Sequence, residues 1–409
     1  MRRLLFIVLL ITPYFAVRGQ YISIWSEPTG TTLQLDLGRL WSYNLFEHSR
    51  WGAGLRFMYP YRQDTRCFGA DGYYGYGVED RKSKWGLTLD WMRTGKHERH
   101  FYLRAAYDLA AAGSRLMEEM QLTDFSQNAS FMSRRMSHTE RVTVGWSKQM
   151  SSTLRLNAEW HYSAEQRLYD GNRLLYPESY YLKDRKTLYS YPELTLGAQW
   201  TWGLKVELMT GQTEESDNCT PLSYLRTLVQ YEHCFRFSDI QLHVFSQTGY
   251  SDGFNHEVPY SRMFDLGGTW GAPLHFEHCL LTARPNEFTA NTFIIISLRL
   301  GTERPLWQWW SDFAQIGCNP RPFIALNTAW GHLWGQDASG ERRWQGLDLQ
   351  APNMGIVEPV AGIDGLLRWG TVDWGVAVAY RLVPPTAPYR LETMKDNLAL
   401  LFTASLIIK

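Results

Sequence analysis

The stretch Leu154–Tyr162 has the sequence LRLNAEWHY, in which apolar and polar residues alternate at every position. One parity holds Leu, Leu, Ala, Trp and Tyr, and the other holds Arg, Asn, Glu and His. Successive side chains of a β-strand point to opposite faces, so this alternation predicts a strand with one apolar side and one polar side. The same pattern recurs along most of the chain, which predicts an all-β protein.

About sixteen segments show this alternation, and bacterial outer-membrane barrels require an even number of strands. Many segments reach ~9–12 residues, longer than the ~5–6 residues usual for strands of soluble proteins. Several carry aromatic residues at both ends of the apolar face, as with Trp51 and Tyr59, which is typical of strands that meet two membrane interfaces. We therefore predict a transmembrane antiparallel β-barrel of about sixteen strands. The predicted strands are 31–42, 51–60, 66–78, 83–94, 100–108, 141–148, 152–163, 193–201, 203–211, 223–234, 239–249, 292–300, 321–331, 355–367, 372–382 and 397–408.

The composition is compatible with this prediction. The mean hydropathy is −0.33, but alternation halves the apparent hydrophobicity of every spanning strand. The chain has 41 basic and 41 acidic residues, so its charge gives no reason to expect nucleic acid as a partner. A secreted soluble β-protein, whose apolar parity packs into a core, is the alternative, and the long strands argue against it.

The N-terminus has the features of a secretory signal peptide. Two arginines precede the apolar run Leu4–Ile11, and small residues lead to Gln20. The run is too short to cross a bilayer as a helix, which needs roughly 20 residues. We therefore predict a signal peptide at 1–19 and an outer-membrane β-barrel at 20–409.

The lengths of the connections predict an orientation. If the N-terminus is periplasmic, the links that follow odd-numbered strands are extracellular, and barrels place their long loops there. The long links indeed follow odd-numbered strands, and one inward link, 301–320, departs from this rule. The long links are 109–140, 164–192, 250–291 and 332–354.

Five cysteines are scattered without a CxxC spacing, which argues against a disulfide framework or a structural zinc site. One disulfide remains open in an oxidising periplasm, and the sequence does not identify it. The cluster His275–Cys279 contains metal-capable side chains, but His275 and His278 would face opposite sides of a strand. We expect no metal site and no cofactor.

Several short motifs resemble those of a family of bacteroidete-type outer-membrane barrels of unknown function, whose longer members carry a carboxypeptidase-regulatory-like domain before the barrel. The resemblance covers most of the mature chain and implies the barrel fold. The motifs are SYNLFE at 42–47, WGAGLR at 51–56, YGYG at 74–77, KWGL at 84–87, YDL at 107–109 and PNEFTANTF at 285–293.

That barrel type is in turn similar to the surface-antigen superfamily, which includes barrel-assembly insertases and two-partner secretion pores. The superfamily places an Arg-Gly-Phe-like tip in a long sixth outer loop, and this chain has GGTWG at 267–271, without the arginine. The resemblance implies sixteen strands and a long sixth loop, and the missing arginine argues against insertase or secretion activity. We expect a loop plug at Gly267, Gly268, Trp270 and Gly271.

The polar parity should line the lumen with charges of both signs. One interpretation is a pore that selects solutes by charge. The other is a network of mutually paired groups that fills the barrel and makes it rigid, and the balance of charges favours it. The predicted lining residues are Asp36, Arg56, Asp90, Arg104, Arg155, Glu159, His161, Lys205, Glu207 and Arg381.

These features predict a non-enzymatic barrel in the outer membrane of a Gram-negative bacterium, with a role in transport or envelope biogenesis. Its expected partners are outer-membrane lipid and an envelope protein docking on its outer loops. A barrel enzyme of the lipase or protease type is a first alternative, because Glu159 and His161 share a face as a base and its orienting carboxylate do, although no serine partner is identifiable. The second alternative is a surface adhesin or structural barrel that binds a ligand through loops 109–140 and 164–192.

Overall fold

The computed structural model describes the chain from residue 21 to residue 406. The described part is all-β, with one short 3-10 turn. No helix in this part of the chain is long and apolar enough to cross a membrane. The segments left out inside this range are 45–46, 63–64, 96–97, 112–135, 169–186, 216–217, 255–257, 259–261, 267–279, 284–286, 303–318, 335–349, 370–371 and 390–396.

In the described part of the chain, eighteen strands form one large antiparallel sheet, and two short strands form a separate pair. The large sheet contains β1 (Tyr21–Ser26), β2 (Thr32–Asp36), β3 (Trp41–Asn44), β4 (His48–Arg62), β5 (Arg66–Gly77), β6 (Ser83–Arg93), β7 (Arg99–Ala111), β8 (Met136–Gln149), β9 (Leu154–Leu168), β10 (Thr187–Trp200), β11 (Leu204–Glu215), β12 (Asn218–Phe237), β13 (Ile240–Asp252), β16 (Thr292–Thr302), β17 (Arg321–His332), β18 (Ile356–Trp369), β19 (Val372–Tyr380) and β20 (Leu398–Leu406). The short pair is β14 (Phe264–Asp265) with β15 (Thr289–Ala290).

From β4 onward each strand of the large sheet pairs with the next one in chain order. Before β4 the order is less regular, because β2 and β3 pair with different halves of that strand. The 3-10 turn at 37–39 separates these two strands, and the Asp36 carboxylate caps it by accepting the Gly38 N–H at 2.9 Å. β1 pairs with the other edge of β2.

Each of the sixteen predicted segments overlaps a strand, and the all-β antiparallel prediction is confirmed. The sheet has more strands than predicted. The first predicted segment, 31–42, is divided by the capped turn, and β1 was not predicted because its six residues carry apolar side chains on both parities. β12 extends over 20 residues and so is longer than the predicted 223–234.

The apolar parity faces outward and is exposed. On β4 the side chains of Trp51, Leu55 and Tyr59 are 59%, 47% and 46% exposed. Trp51 and Tyr59 lie about 27 Å apart along an extended strand, close to the height of the apolar band of an outer-membrane barrel. The opposite parity is polar and buried, as at Lys205 and Glu207. This distribution is the reverse of that in a soluble protein.

The sheet curves toward its polar side. Arg50 on β4 donates to Asp108 on β7, with 3.0 Å from Nη1 to Oδ2. In a flat sheet these two strands would be about 14 Å apart, with side chains standing perpendicular to the sheet. The contact therefore requires a concave polar surface. The strands follow one another round a barrel, and its polar interior is called the lumen below.

The two ends of the barrel differ in the length of their connections. The end where β4 begins is called the loop rim, and it carries most of the long links: 112–135, 169–186, 253–291, 333–355 and 381–397. The opposite end is called the turn rim, and its links are short apart from 303–320. This asymmetry agrees with the predicted alternation of long and short links. Which rim faces the cell exterior remains a prediction.

The largest apolar cluster of the described chain lies at the loop-rim end of the lumen. Wall strands contribute Phe245, Phe293 and Ile295, each about 1% exposed. The remaining members include Phe264 and Phe288, which belong to the link between β13 and β16. An apolar core inside a polar lumen exists because this link folds inward.

Candidate functional site

The candidate site is the link between β13 and β16, residues 253–291, which we call the lumen segment. β13 and β16 pair directly as far as Tyr250 and Thr292, so the whole link departs from the sheet and returns to it at the loop rim. Its described apolar side chains from Val258 onward are buried, as at Met263, Leu266 and Leu280, whereas Phe254 at its start is exposed. The described parts of the segment from Val258 onward therefore pack inside the barrel.

Arg262 fixes the first half of the lumen segment to the wall. Its Nη1 lies 2.8 Å from Oε1 of Glu165 on β9, and its Nε lies 2.6 Å from Oε1 of Glu193 on β10. A further bond of 3.0 Å joins Nη2 to the second oxygen of Glu193. All three side chains are at least nine-tenths buried. We call these three residues the Arg262 anchor.

Neighbouring wall groups complete this anchor. Tyr224 on β12 donates its hydroxyl hydrogen to Glu193, and Ser190 lies 3.2 Å from Nη2 of Arg262. Beside it a second buried pair, Arg226 with Glu207, has an N–O distance of 2.8 Å. Buried charges are tolerated only when they are paired and hydrogen-bonded, and these contacts meet that condition.

Glu358 fixes the second half of the lumen segment. This β18 carboxylate is fully buried and accepts the backbone N–H groups of Leu281 and Thr282 at 2.8 and 3.0 Å, together with the Thr282 hydroxyl. Arg381 adjoins it, 2.7 Å from both the Thr282 carbonyl and Oε1 of Glu287. We call Glu358, Thr282, Arg381 and Glu287 the Glu358 anchor.

The two anchors lie on different sides of the barrel. In sheet order β18 is six strands away from β10, which would be about 29 Å in a flat sheet. The described parts of the segment therefore contact two separate regions of the lumen wall. Beside the anchors their contacts are apolar, with Phe264 packing on Phe293 at a ring distance of 4.8 Å. Phe288 meets Tyr389 edge to face at 5.5 Å.

A further buried polar cluster joins the strands β4 to β7 near the loop rim. Lys84 pairs with Glu47 and Asp80, and Lys84 and Glu47 are fully buried. Arg50 bridges Glu47 and Asp108. These ion pairs attach Glu47 and Asp80, which lie in short connections at the loop rim, to the barrel wall.

The ten predicted lining residues lie on the polar side of the sheet that faces the lumen. Their contacts favour a network of paired groups over an open charged pore. Arg381 is the member that contacts the lumen segment, and Lys205 is buried. Other polar contacts include Asp36 with the Gly38 N–H, Asp90 with His100 at 2.7 Å, Arg155 with Glu98 at 3.0 Å, Glu159 with His161 at 3.0 Å, and Glu207 with Arg226. Arg56 and Arg104 lie over the rings of Tyr21 and Tyr102, at 5.0 and 5.3 Å from the ring centres.

Glu159 and His161 gain a hydroxyl neighbour in the fold. Thr143 on β8 lies 3.0 Å from Nδ1 of His161, and Tyr102 donates to Glu159. Acyl transfer also needs backbone donors directed at the substrate oxygen, and these strands use their backbones in the β7–β8–β9 ladder. The arrangement therefore favours a structural hydrogen-bond chain.

Some predictions fall outside the described residues, namely the plug tip at Gly267, Gly268, Trp270 and Gly271 and the cluster His275–Cys279. Within the described chain, no group of three metal-capable side chains could hold a metal ion, and Cys67 and Cys234 are free thiols.

The sequence analysis missed Arg262, Glu165, Glu193 and Glu358. Glu165 could have been found by continuing the alternation of Leu154–Tyr162 by three residues. The position of Arg262 depends on how the link folds, and no local pattern indicates it.

No family model matches the chain, and no curated protein matches it either. The resemblance to bacteroidete-type barrels therefore stays a prediction.

Solved structures do match. CdiB from Acinetobacter baumannii is 9% identical with a TM-score of 0.44, over 93% of this chain and 57% of that one. BamA from Haemophilus ducreyi lacking POTRA domains 1–3 is 10% identical with a TM-score of 0.45, over 97% and 77%. The outer membrane channel DcaP of Acinetobacter baumannii is 10% identical with a TM-score of 0.40, over 88% and 93%. The chain spans 57% and 60% of the two CdiB structures, less than two thirds of their length.

Proposed function

We propose that the chain is a non-enzymatic outer-membrane β-barrel of a Gram-negative bacterium, active in transport or envelope biogenesis and closed at rest by its lumen segment. The distribution of side chains supports the membrane location. Exposed apolar parities on successive strands would be costly in water and suit hydrocarbon. The signal peptide predicted at 1–19 supports export.

The burial of the lumen segment carries the proposal of a closed barrel. Barrels of about sixteen strands leave an aqueous channel when their interior is empty. Here the described parts of the segment occupy that space, held by Arg262 on one side and Glu358 on the other. Passage of a solute or a polypeptide therefore requires the segment to move.

The turn-rim half of the lumen has a polar wall. His243 lies 3.4 Å from Glu232, and Arg299 pairs with Asp364. A solute that enters from this side meets paired charges of both signs, which suits polar cargo without a strong preference for either sign. An envelope protein that docks on the outer loops stays part of the proposal.

Single-channel conductance of the refolded protein tests the proposal. In one variant a four-residue Gly/Ser linker replaces residues 254–289, which is feasible because β13 and β16 are direct neighbours. The matched control places the same linker at 113–134, where β7 and β8 are likewise neighbours. We expect at least a tenfold rise in conductance for the first variant, and a control that matches the intact protein.

Two results would count against the proposal. If neither the intact protein nor either variant conducts ions in bilayers, the proposed transport role is wrong. An equal rise in both variants would mean that lumen-segment burial is not what closes the barrel.

A further inference from the structure

A groove of about 440 Å³ opens on the outward face of the barrel near the loop rim. It lies where β16, β17 and β18 meet two connections, the one that precedes β18 and the one that follows β19. Five of its lining side chains are large, apolar and exposed, which makes the groove continuous with the outward apolar face. The main lining residues are Ile294, Thr328, Trp330, Met354, Val357 and Leu382.

The walls of the groove are held by hydrogen bonds. The Trp330 indole N–H donates to the Asn353 carbonyl at 2.9 Å, which fixes the ring along one side. On the other side Val357 and Leu382 exchange two backbone bonds, of 3.0 and 2.8 Å. Met354 at one end donates its N–H to the Tyr389 hydroxyl at 2.9 Å. The groove is therefore preformed, as ligand sites of this size usually are.

The chemistry of the walls selects the occupant. Among the six main lining residues Thr328 supplies the one side-chain hydroxyl, and the wall bonds already use the Trp330 indole and the Val357 backbone. A docked peptide would bring backbone amides that need hydrogen-bond partners, and leaving them unpaired is costly. A hydrocarbon chain has no such requirement.

We propose that this groove binds one acyl chain of a membrane lipid from the surrounding bilayer. The inference rests on the proposed membrane location. The bound chain lies between Trp330 and the Val357–Leu382 pair, at the depth where the aromatic residues of a barrel meet the lipid headgroups.

Native mass spectrometry of the detergent-purified protein, with palmitoyl-oleoyl phosphatidylethanolamine added back, tests this site. Val357→Trp fills the groove. Val378→Trp is the matched control, because Val378 is a similarly exposed valine of the outward face that does not line the groove. We expect one tightly held lipid on the wild type and on the control, and at least a tenfold lower bound fraction on Val357→Trp. Val357→Ala widens the groove and should keep the lipid.

Equal lipid binding by Val357→Trp and wild type would overturn the site, as would an equal loss in the control variant. Binding of detergent alone, with no lipid retained by the wild type, would also overturn it. A heat-dependent shift in gel mobility shows that each variant is folded. If the wild type does not insert into liposomes at all, the proposed membrane location is wrong. If it inserts but retains no lipid, only the proposed lipid site is wrong.

Discussion

The two anchors of the lumen segment use charge in opposite ways. At the Arg262 anchor the segment supplies the cation and the wall supplies two carboxylates. At the Glu358 anchor the wall supplies the carboxylate, and the segment supplies mainly backbone N–H groups. The first attachment depends on a single side chain of the segment, whereas the second is shared among two backbone N–H groups, the Thr282 hydroxyl and Glu287. The two halves of one segment should therefore respond differently to mutation.

The largest effect should follow Arg262→Met, which leaves Glu165 and Glu193 buried without their cation. Breaking a buried ion pair by removing one partner costs about 3–5 kcal/mol. We expect a loss of unfolding free energy in that range, measured by urea titration in lipid vesicles, together with frequent channel opening. The two buried carboxylates then need water in place of the guanidinium, so the first half of the segment should lose its attachment and leave the lumen.

Arg299→Met is the control for this variant, because Arg299 pairs with Asp364 from wall to wall. It should destabilise the barrel while the channel stays closed. If both variants open the channel, general loosening of the barrel explains the opening, and the Arg262 anchor has no particular role.

A smaller effect is expected for Glu358→Gln, which tests the anchor built on backbone donors. The amide keeps one acceptor oxygen but loses the charge beside Arg381, so the cost should be about 1–3 kcal/mol. Conductance should show brief openings, rarer than in Arg262→Met. The comparison of the two anchors would be wrong if Glu358→Gln opened the channel more often than Arg262→Met.

The smallest effect should follow Tyr389→Phe. The hydroxyl accepts from the Met354 N–H and donates to the Gly355 carbonyl, and burial raises the pKa of Tyr389, so the group keeps its proton at neutral pH. The ring contact with Phe288 is kept, and the expected loss is about 1 kcal/mol with the channel closed. A larger loss, or opening, would show that the Tyr389 hydroxyl contributes to holding the lumen segment beyond the contacts of Arg381 and the Tyr389 ring.

The strands were predictable because their signal is local. β9 and β19 appear in the sequence as uninterrupted alternation, and any strand of a barrel with lipid outside and a polar inside must carry it. The register of strand pairing was also predictable where the turns are short. The link at 150–153 places Thr143 opposite His161, which supplies the hydroxyl neighbour that the sequence analysis did not identify.

The interior of the barrel was not predictable in the same way. Arg262 meets Glu193 across 69 residues, and the contact depends on a link that turns into the lumen. Nothing in the local pattern distinguishes an inward link from an outward one. The sequence analysis therefore placed the plug at the glycine-rich tip, whereas the described attachments lie on either side of it.

Strand pairing in the wall has a consequence for how such a chain would enter a bilayer. The backbone amides of every strand find their partners on adjacent strands, and hydrocarbon offers none in exchange. A lone strand, polar on half of its side chains, has no stable place among lipid tails. Insertion is then a collective event in which hairpins assemble before they are immersed, and a half-inserted intermediate would need a helper to cover its open edges.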